Sequence, residues 1–424
     1  MKIAIIGSGI SGNTVAHYLH PQHDITLYEA NSHVGGHTHT HDLQTDDGPL
    51  AIDTGFIVFN SRTYPNFINL LQQLGVDWQD TEMSFSVKDQ AGGLEYNGHN
   101  LDTLFCQRRN LLKPAFLKMI SDILRFNRQA PASLDNDRSD MPLGDYLATH
   151  NYGKLFIHRY IIPMGAAIWS TSPQRMMDFP AKFFIRFFVN HGLLQVRDRP
   201  PWYVIRNGSK AYVDKLIAPF KNNIHLNTPV EAVHRVGRQV LVKPRNRDAV
   251  MYDAVFIASH SDQALRMRGT QASSLEKQLL GSIPYQRNTA VLHTDSSLLP
   301  DNKKAWAAWN YHINAKPDSA VALTYYMNRL QSLNTSQTYC VTLNNDEAID
   351  QRKIIKCIDY HHPVFTPDSV ITQQRQSEIN TDGIYYCGAY WRNGFHEDGV
   401  VSALNAIEDF SRNSHAQLHL SRAS

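Results

Sequence analysis

KIAIIGSGISGN, residues 2–13, decides the fold at the start of this chain. Lys2 to Ile6 is a short apolar run rich in β-branched residues, Gly7 to Gly12 is a glycine turn, and Asn13 to Leu19 carries helical spacing until Pro21 breaks it. A second strand is predicted over Ile25 to Tyr28. Strand, turn, helix and strand in this order make a βαβ unit, whose right-handed connection implies a parallel sheet covered by helices. Gly7 permits the tight turn, Gly9 lets the backbone approach a pyrophosphate, and Gly12 allows the helix to pack on the strand. Ser8, Ile10 and Ser11 complete the phosphate loop, where the helix start offers free N–H groups and its positive dipole end. Glu29, followed by Ala30, stands at the end of the second strand, 17 residues beyond Gly12. An acid there accepts hydrogen bonds from a ribose diol and repels a 2′-phosphate, which argues against NADP.

Working outward, a helix ending at Gly75 is predicted within residues 56–75, and antiparallel strands around Gly92-Gly93 within 84–97. Phe105 to Gln129 reads as one long helix with Leu112, Phe116, Met119, Ile120, Ile123 and Leu124 on one face. Residues 131–142 read as a polar loop and 143–199 as helical and aromatic, up to Pro200-Pro201. Strands return near 224–226, 230–233, 240–243, 254–258 and 384–387, and the residues from Arg412 onward read as a polar, frayed tail.

The chain has 424 residues, 42% hydrophobic and 19% charged, an ordinary globular balance for two domains. A net charge of +2 gives no footprint for nucleic acid. Cys106, Cys340, Cys357 and Cys387 form no Cys-x-x-Cys pair, which fits a reducing cytoplasm. The apolar start is broken by glycines at once and reads as a buried strand, not a secretory leader. No run approaches the ~18 apolar residues of a membrane-spanning helix.

Beyond Glu29 come Gly35-Gly36-His37 and Asp53-Thr54-Gly55-Phe56, and far along the chain Tyr386-Cys387-Gly388-Ala389 leads through Trp391 to Phe395-His396-Glu397-Asp398-Gly399-Val400. With the opening turn, this succession resembles the flavin-containing amine oxidase superfamily, which includes protoporphyrinogen oxidases and phytoene desaturases. The resemblance implies non-covalent FAD, with Gly35, Gly36, His37, Thr54, Gly55 and Phe56 near it and Gly388, Asp398, Gly399 and Val400 along its ribityl and pyrimidine side. His37 replaces the arginine usual there, so that arginine's contact is not carried over. The stretch around Pro229-Val230-Glu231 matches the middle cofactor segment, with Val230 toward the adenine. VLHTD (291–295), AWAAWNY (305–311) and CGAYWRNGFHEDG (387–399) resemble, more narrowly, a bacterial group of FAD-dependent oxidoreductases often encoded beside enzymes resembling cyclopropane-fatty-acid synthase. That association implies unsaturated or modified acyl chains as substrates.

The expected class is therefore α/β (α+β overall), with a Rossmann-type FAD-binding domain (1–83, 200–260, 375–411) interleaved with a mixed sheet-plus-helices substrate domain (84–199, 261–374) and a tail over 412–424. Expected chemistry is hydride transfer to flavin from a hydrophobic substrate, by oxidation, desaturation or isomerisation. His396 is the catalytic candidate, as proton relay or shaping residue, and Trp391, Phe395 and Glu397 are pocket candidates. An amine oxidase and a non-catalytic flavin-binding redox partner are the alternatives, and no motif specifies an electron acceptor. Cys387, ending a strand, reads as buried and not as a covalent flavin anchor. His37, His39 and His41 alternate as ligands on one strand face would, but no carboxylate or cysteine joins them, so no metal is expected. Arg108, Arg109, Lys113, Lys118, Arg125 and Arg128 suit contact with an anionic bilayer at the cytoplasmic face. A solvated helix packed on the substrate domain is the competing reading.

Overall fold

The computed structural model describes residues 1–135, 141–196, 198–313 and 321–414. Lys2–Ile6 is the middle strand of a five-stranded parallel sheet ordered Ile224–His225, Asp24–Tyr28, Lys2–Ile6, Ala254–Ile257 and Ile384–Tyr386. Side chains alternate across a strand. Ile3 and Ile5 accordingly pack under the helices Ile10–Leu19, Lys210–Ile217 and His396–Ser414. Ala4 and Ile6 pack on the other face, under a three-stranded antiparallel sheet that begins with Val230–Val236. The helices Ser261–Arg268 and Ser274–Gly281 lie on that same face through Ala264, Met267, Leu279 and Leu280. These helices, which follow the boundary expected after residue 260, thus bury their apolar sides on the dinucleotide sheet.

A mixed seven-stranded sheet forms the second layer, from Ile354–Pro363 at one edge to Leu94–Asn97 at the other. The helices Pro114–Gln129, Leu143–Thr149, Ile162–Trp169 and Ala181–Asn190 share its core. Val58–Asn60, Trp78–Thr81 and Trp202–Ile205 make a small antiparallel sheet where the chain passes between the two layers. His361 and His362 lie within the Ile354–Pro363 edge strand.

The long helix expected over 105–129 is broken. Leu101–Leu104 is one helical turn, Arg108–Leu112 a 3-10 turn, and the α-helix starts at Pro114, whose fixed φ and missing N–H suit a first helical position. Its buried positions are Phe116, Met119, Asp122 and Phe126, while Leu112 and Leu124 are 87% and 54% exposed. Asp122 is tolerated inside because Arg125 Nη2 and the Gly153 N–H donate to its carboxylate at 2.9 Å, and Lys118 Nζ lies 3.3 Å away. The segment expected to fray continues the last helix to Ser414, and residues 415–424 lie outside the described ones. Of the expected polar loop, residues 136–140 lie outside them as well.

Candidate functional site

At the opening turn the helix begins at Ile10 with Gly9 as its N-cap, and no side chain caps it. Its first N–H groups have no intrahelical partner, and Ile10 and Ser11 line a cavity of about 1340 Å³. A Cβ on Gly9 would meet nothing within 4 Å, whereas one on Gly12 would lie 1.9 Å from the Gly7 carbonyl oxygen. Gly9 thus faces open space, while Gly12 sits behind the loop and serves only close packing. Gly36, at φ +59, presses on the loop so closely that a Cβ would lie 3.1 Å from the Gly9 Cα.

Glu29 is buried, with Oε2 accepting from the Ser8 N–H and hydroxyl at 2.9 and 2.5 Å and Oε1 accepting from the Asn31 N–H at 2.8 Å. A carboxylate offers about four lone-pair sites, so Glu29 is held rigid with acceptor capacity left for a diol. Ala30, Thr228, Pro229 and Val230 line the same end of the cavity.

Gly35, Gly36, His37, Thr54, Gly55, Phe56, Gly388, Phe395 and His396 line its middle. The His396 ring stacks on Phe56 at 3.6 Å between centroids, and its Nε2 lies 2.7 Å from Tyr212 Oη and 3.1 Å from Thr38 Oγ1. Burial pushes its pKa down to about 3. With Nε2 engaged by Tyr212 and Thr38, the His396 ring braces Phe56 against the cavity wall.

Three other expected parts of the site lie off the lining of this cavity. Trp391 is 1% exposed and packs in the core beside Tyr390; Tyr390 itself, which sequence reasoning passed over, lines the cavity. Glu397 faces a separate cavity of about 450 Å³. There it accepts from the Asn66 N–H at 3.1 Å, the Asn66 amide at 2.7 Å and the Phe67 N–H at 2.8 Å, satisfying the start of the Pro65–Gln73 helix. Glu397→Ala is expected to lower stability by about 1–3 kcal/mol, read by denaturant titration, because it orphans buried N–H groups. Asp398 accepts from the Phe395 N–H at 2.9 Å and, like Gly399 and Val400, lies behind the lining. Gly399 abuts Ile10 and Ser11, so this turn seats the last helix on the first.

His37 leaves the row expected with His39 and His41. It packs against Tyr360 at 4.9 Å and His362 at 5.3 Å, whereas His39 stacks between His33 and His41 at 4.2 and 4.3 Å. Asn288 donates to His362 Nδ1 at 2.9 Å, so neutral His362 carries its proton on Nε2. Asp53 is a buried junction, accepting from Thr40, Ser209 and Gln331. Burial raises its pKa to about 7. Cys387 is fully buried in the core, its thiol pushed up by burial, and does not line the cavity.

The far end of the cavity is a chamber of Met83, Tyr96, Met164, Trp169, Phe187, His191, Trp309 and Tyr325 among other apolar residues. Sequence reasoning registered the aromatic content but not these positions. His37 Nε2, Tyr390 Oη, Trp169 Nε1 and Trp309 Nε1 all belong to lining residues and are buried without a partner. The described lining thus joins an uncapped helix start and a diol-accepting Glu29 to an apolar chamber.

A family model described as flavin containing amine oxidoreductase matches residues 10–328. The chain belongs to this family. It is therefore a flavin-dependent oxidoreductase. No curated protein matches it by sequence. A protoporphyrinogen oxidase-like protein from Exiguobacterium sp. 255-15 superposes with TM-score 0.71 at 17% identity, over 97% of this chain and 98% of that one. A cyclohexylamine oxidase from Brevibacterium oxydans IH-35A gives 0.71 at 15% identity, over 97% and 99% of the chains. A CLA-producing fatty acid isomerase from P. acnes gives 0.68 at 14% identity, over 96% and 98%. At these identities the likeness is one of fold. Among the described residues no helix is long and apolar enough to cross a membrane, and no group of three or more His, Cys, Asp or Glu side chains could hold a metal ion.

Proposed function

We propose that this oxidoreductase holds FAD without a covalent bond and acts on a hydrophobic substrate, best matched by an unsaturated or modified acyl chain. The observation that carries this reading is the chamber. Glu29, Glu231 and Asp359 are the acidic residues of the described lining, and none stands in the apolar end. Glu29 and Glu231 flank the dinucleotide end, and Asp359, on the edge strand, accepts from both Nη2 and Nε of Arg287. A cationic amine would find no counter-charge there.

The residues present fit FAD. The Ile10 and Ser11 N–H groups suit the pyrophosphate, Glu29 the adenosine ribose, Val230 the adenine side, and Gly35 to His37 with Gly388 the flavin side. A cavity of about 1340 Å³ exceeds the ~300–1,000 Å³ of ordinary single-ligand pockets, leaving room for substrate beside the cofactor. Bound FAD supplies a hydride acceptor at flavin N5. Phe56, braced by His396, and Phe395, packed 5.2 Å from Phe187, present apolar walls that orient a C–H bond and keep water out.

The test begins with the purified holoprotein: yellow colour, and flavin released intact on denaturation, are expected. Incubated with phospholipid extract, it should convert acyl chains, by loss of two hydrogens for desaturation or by double-bond movement at constant mass for isomerisation. Unchanged chains with and without oxygen, together with hydrogen peroxide release from amines, would replace this reading with amine oxidation. Flavin binding with no turnover of either class would leave a redox partner.

A further inference from the structure

Ten large hydrophobic side chains are exposed among the described residues, and five of them, Leu101, Leu111, Leu112, Leu117 and Leu124, fall within residues 101–124. Single exposed leucines are ordinary on a soluble protein, whereas a cluster marks an interaction surface. Leu117 and Leu124 lie seven residues apart on the Pro114–Gln129 helix and share a face with Lys113 and Arg128, opposite buried Phe116, Met119 and Phe126. Leu111 and Leu112 end the 3-10 turn that leads into it.

Cations surround these leucines. Residues 101–129 carry Arg108, Arg109, Lys113, Lys118, Arg125 and Arg128 against Asp102 and Asp122, a net of +4 in a chain whose total is +2. Lys118 and Arg125 are spent on buried Asp122, and Arg108 pairs with Asp102. Among the described residues, Arg109, Lys113 and Arg128 form no ion pair. The cavity is lined next to this region by exposed Gly98 and His99, directly preceding the turn that begins at Leu101.

We infer that this leucine and cation face docks on an anionic lipid bilayer, with the Gly98–His99 side of the cavity opening beside the contact. Apolar side chains interspersed with cations match an acyl boundary beneath anionic headgroups. A second copy of the chain fits the face poorly, since a twofold contact would bring like charges together. The inference uses the acyl-chain reading for its purpose only: a hydrophobic substrate would pass from bilayer to chamber without crossing water.

Flotation of the full-length holoprotein with vesicles tests it without measuring turnover, so its failure is distinct from failure of the acyl-chain reading. The protein should float with vesicles of phosphatidylcholine mixed with phosphatidylglycerol at low salt, and not with phosphatidylcholine alone or at high salt. Replacing Arg109, Lys113 and Arg128 by Gln should weaken binding roughly fivefold per charge. Leu111→Ser with Leu112→Ser should weaken it at least about tenfold, with flavin content and melting temperature kept. If the leucine variant fails to fold, the glutamine variant decides alone. A wild type that never floats, or floating that both variants retain, overturns the inference. So does lipid-free self-association that Leu112→Ser abolishes, which would give the face to a second copy.

Discussion

Acidification from pH 7 to pH 5 is expected to lower the apparent melting temperature by roughly 5 °C. His191, His293 and His396 are 8%, 0% and 7% exposed, and burial pushes their pKa values down to about 4, 4 and 3. His260 and His362, packed into the cavity wall, are likewise pushed down to about 4 by burial. Below the unfolded value of about 6.5 the unfolded chain takes up protons that these folded rings refuse, so stability falls as pH drops toward 4. Asp53 and Asp398 work the other way. Burial raises them to about 7 and 6, so the folded state binds their protons first and gains stability as pH falls. At about 1.4 kcal/mol per pKa unit, the five histidines outweigh the two acids by on the order of 5 kcal/mol at pH 5. That is a large share of a typical ~5–15 kcal/mol margin. The experiment is a series of circular-dichroism melts between pH 7.5 and 5. His293 adds an internal control, because its Nδ1 accepts the Asp295 N–H at 3.0 Å and its Nε2 meets Thr342 Oγ1 at 2.7 Å, so protonating Nδ1 breaks a buried bond. His293→Gln should flatten the pH dependence. A melting temperature constant within about 2 °C would contradict the account.

Gly9 and Gly12 are expected to fail in opposite ways. Gly9 has an ordinary φ of −67° and open space around its missing Cβ. Gly9→Val should fold and melt like the flavin-free wild type, yet lose flavin by more than about tenfold, because the new side chain occupies the approach of the pyrophosphate to the helix start. Gly12→Ala should instead lose the fold. Its Cβ would lie 1.9 Å from the Gly7 carbonyl oxygen, a backbone atom held in the turn, and such overpacking costs several times the ~1–3 kcal/mol of an ordinary core misfit. Flavin absorbance per mole of protein and far-UV melts separate the two. A fully yellow Gly9→Val protein would remove the cofactor's phosphates from this turn.

What could be read from the sequence was what local chemistry determines. The opening strand, turn and helix announce themselves because glycine spacing, apolar run and helical period all fall within 19 residues. The start of the helix at Pro114 was also written locally, in a proline suited to the first turn, but hydrophobic periodicity carried the expected helix across it. The same periodicity found Phe116, Met119, Ile120 and Ile123 on the core side but added exposed Leu112 and Leu124 and missed Asp122, buried by partners at residues 118, 125 and 153 that no pattern displays. Trp391 and Glu397 went astray for another reason: a 3-10 turn followed by a helix start reorients successive side chains, so nearness to Gly388 says little about which way each faces. The chamber was illegible in its arrangement because its wall is drawn from segments hundreds of residues apart, such as Met83, Phe187, Trp309 and Phe395.

The order of strands in the parallel sheet also governs the birth of the protein. Ile3 pairs with Ala254, and Ala254–Ile257 pairs in turn with Ile384–Tyr386. At roughly 5–20 residues per second of synthesis, about 20–80 s pass before that last strand is made. During this interval the edges of Lys2–Ile6 and then Ala254–Ile257 wait unpaired, with apolar side chains on both faces. Completion of the sheet therefore waits on synthesis of residues 384–386, and until then these apolar strand edges are open to association with other chains.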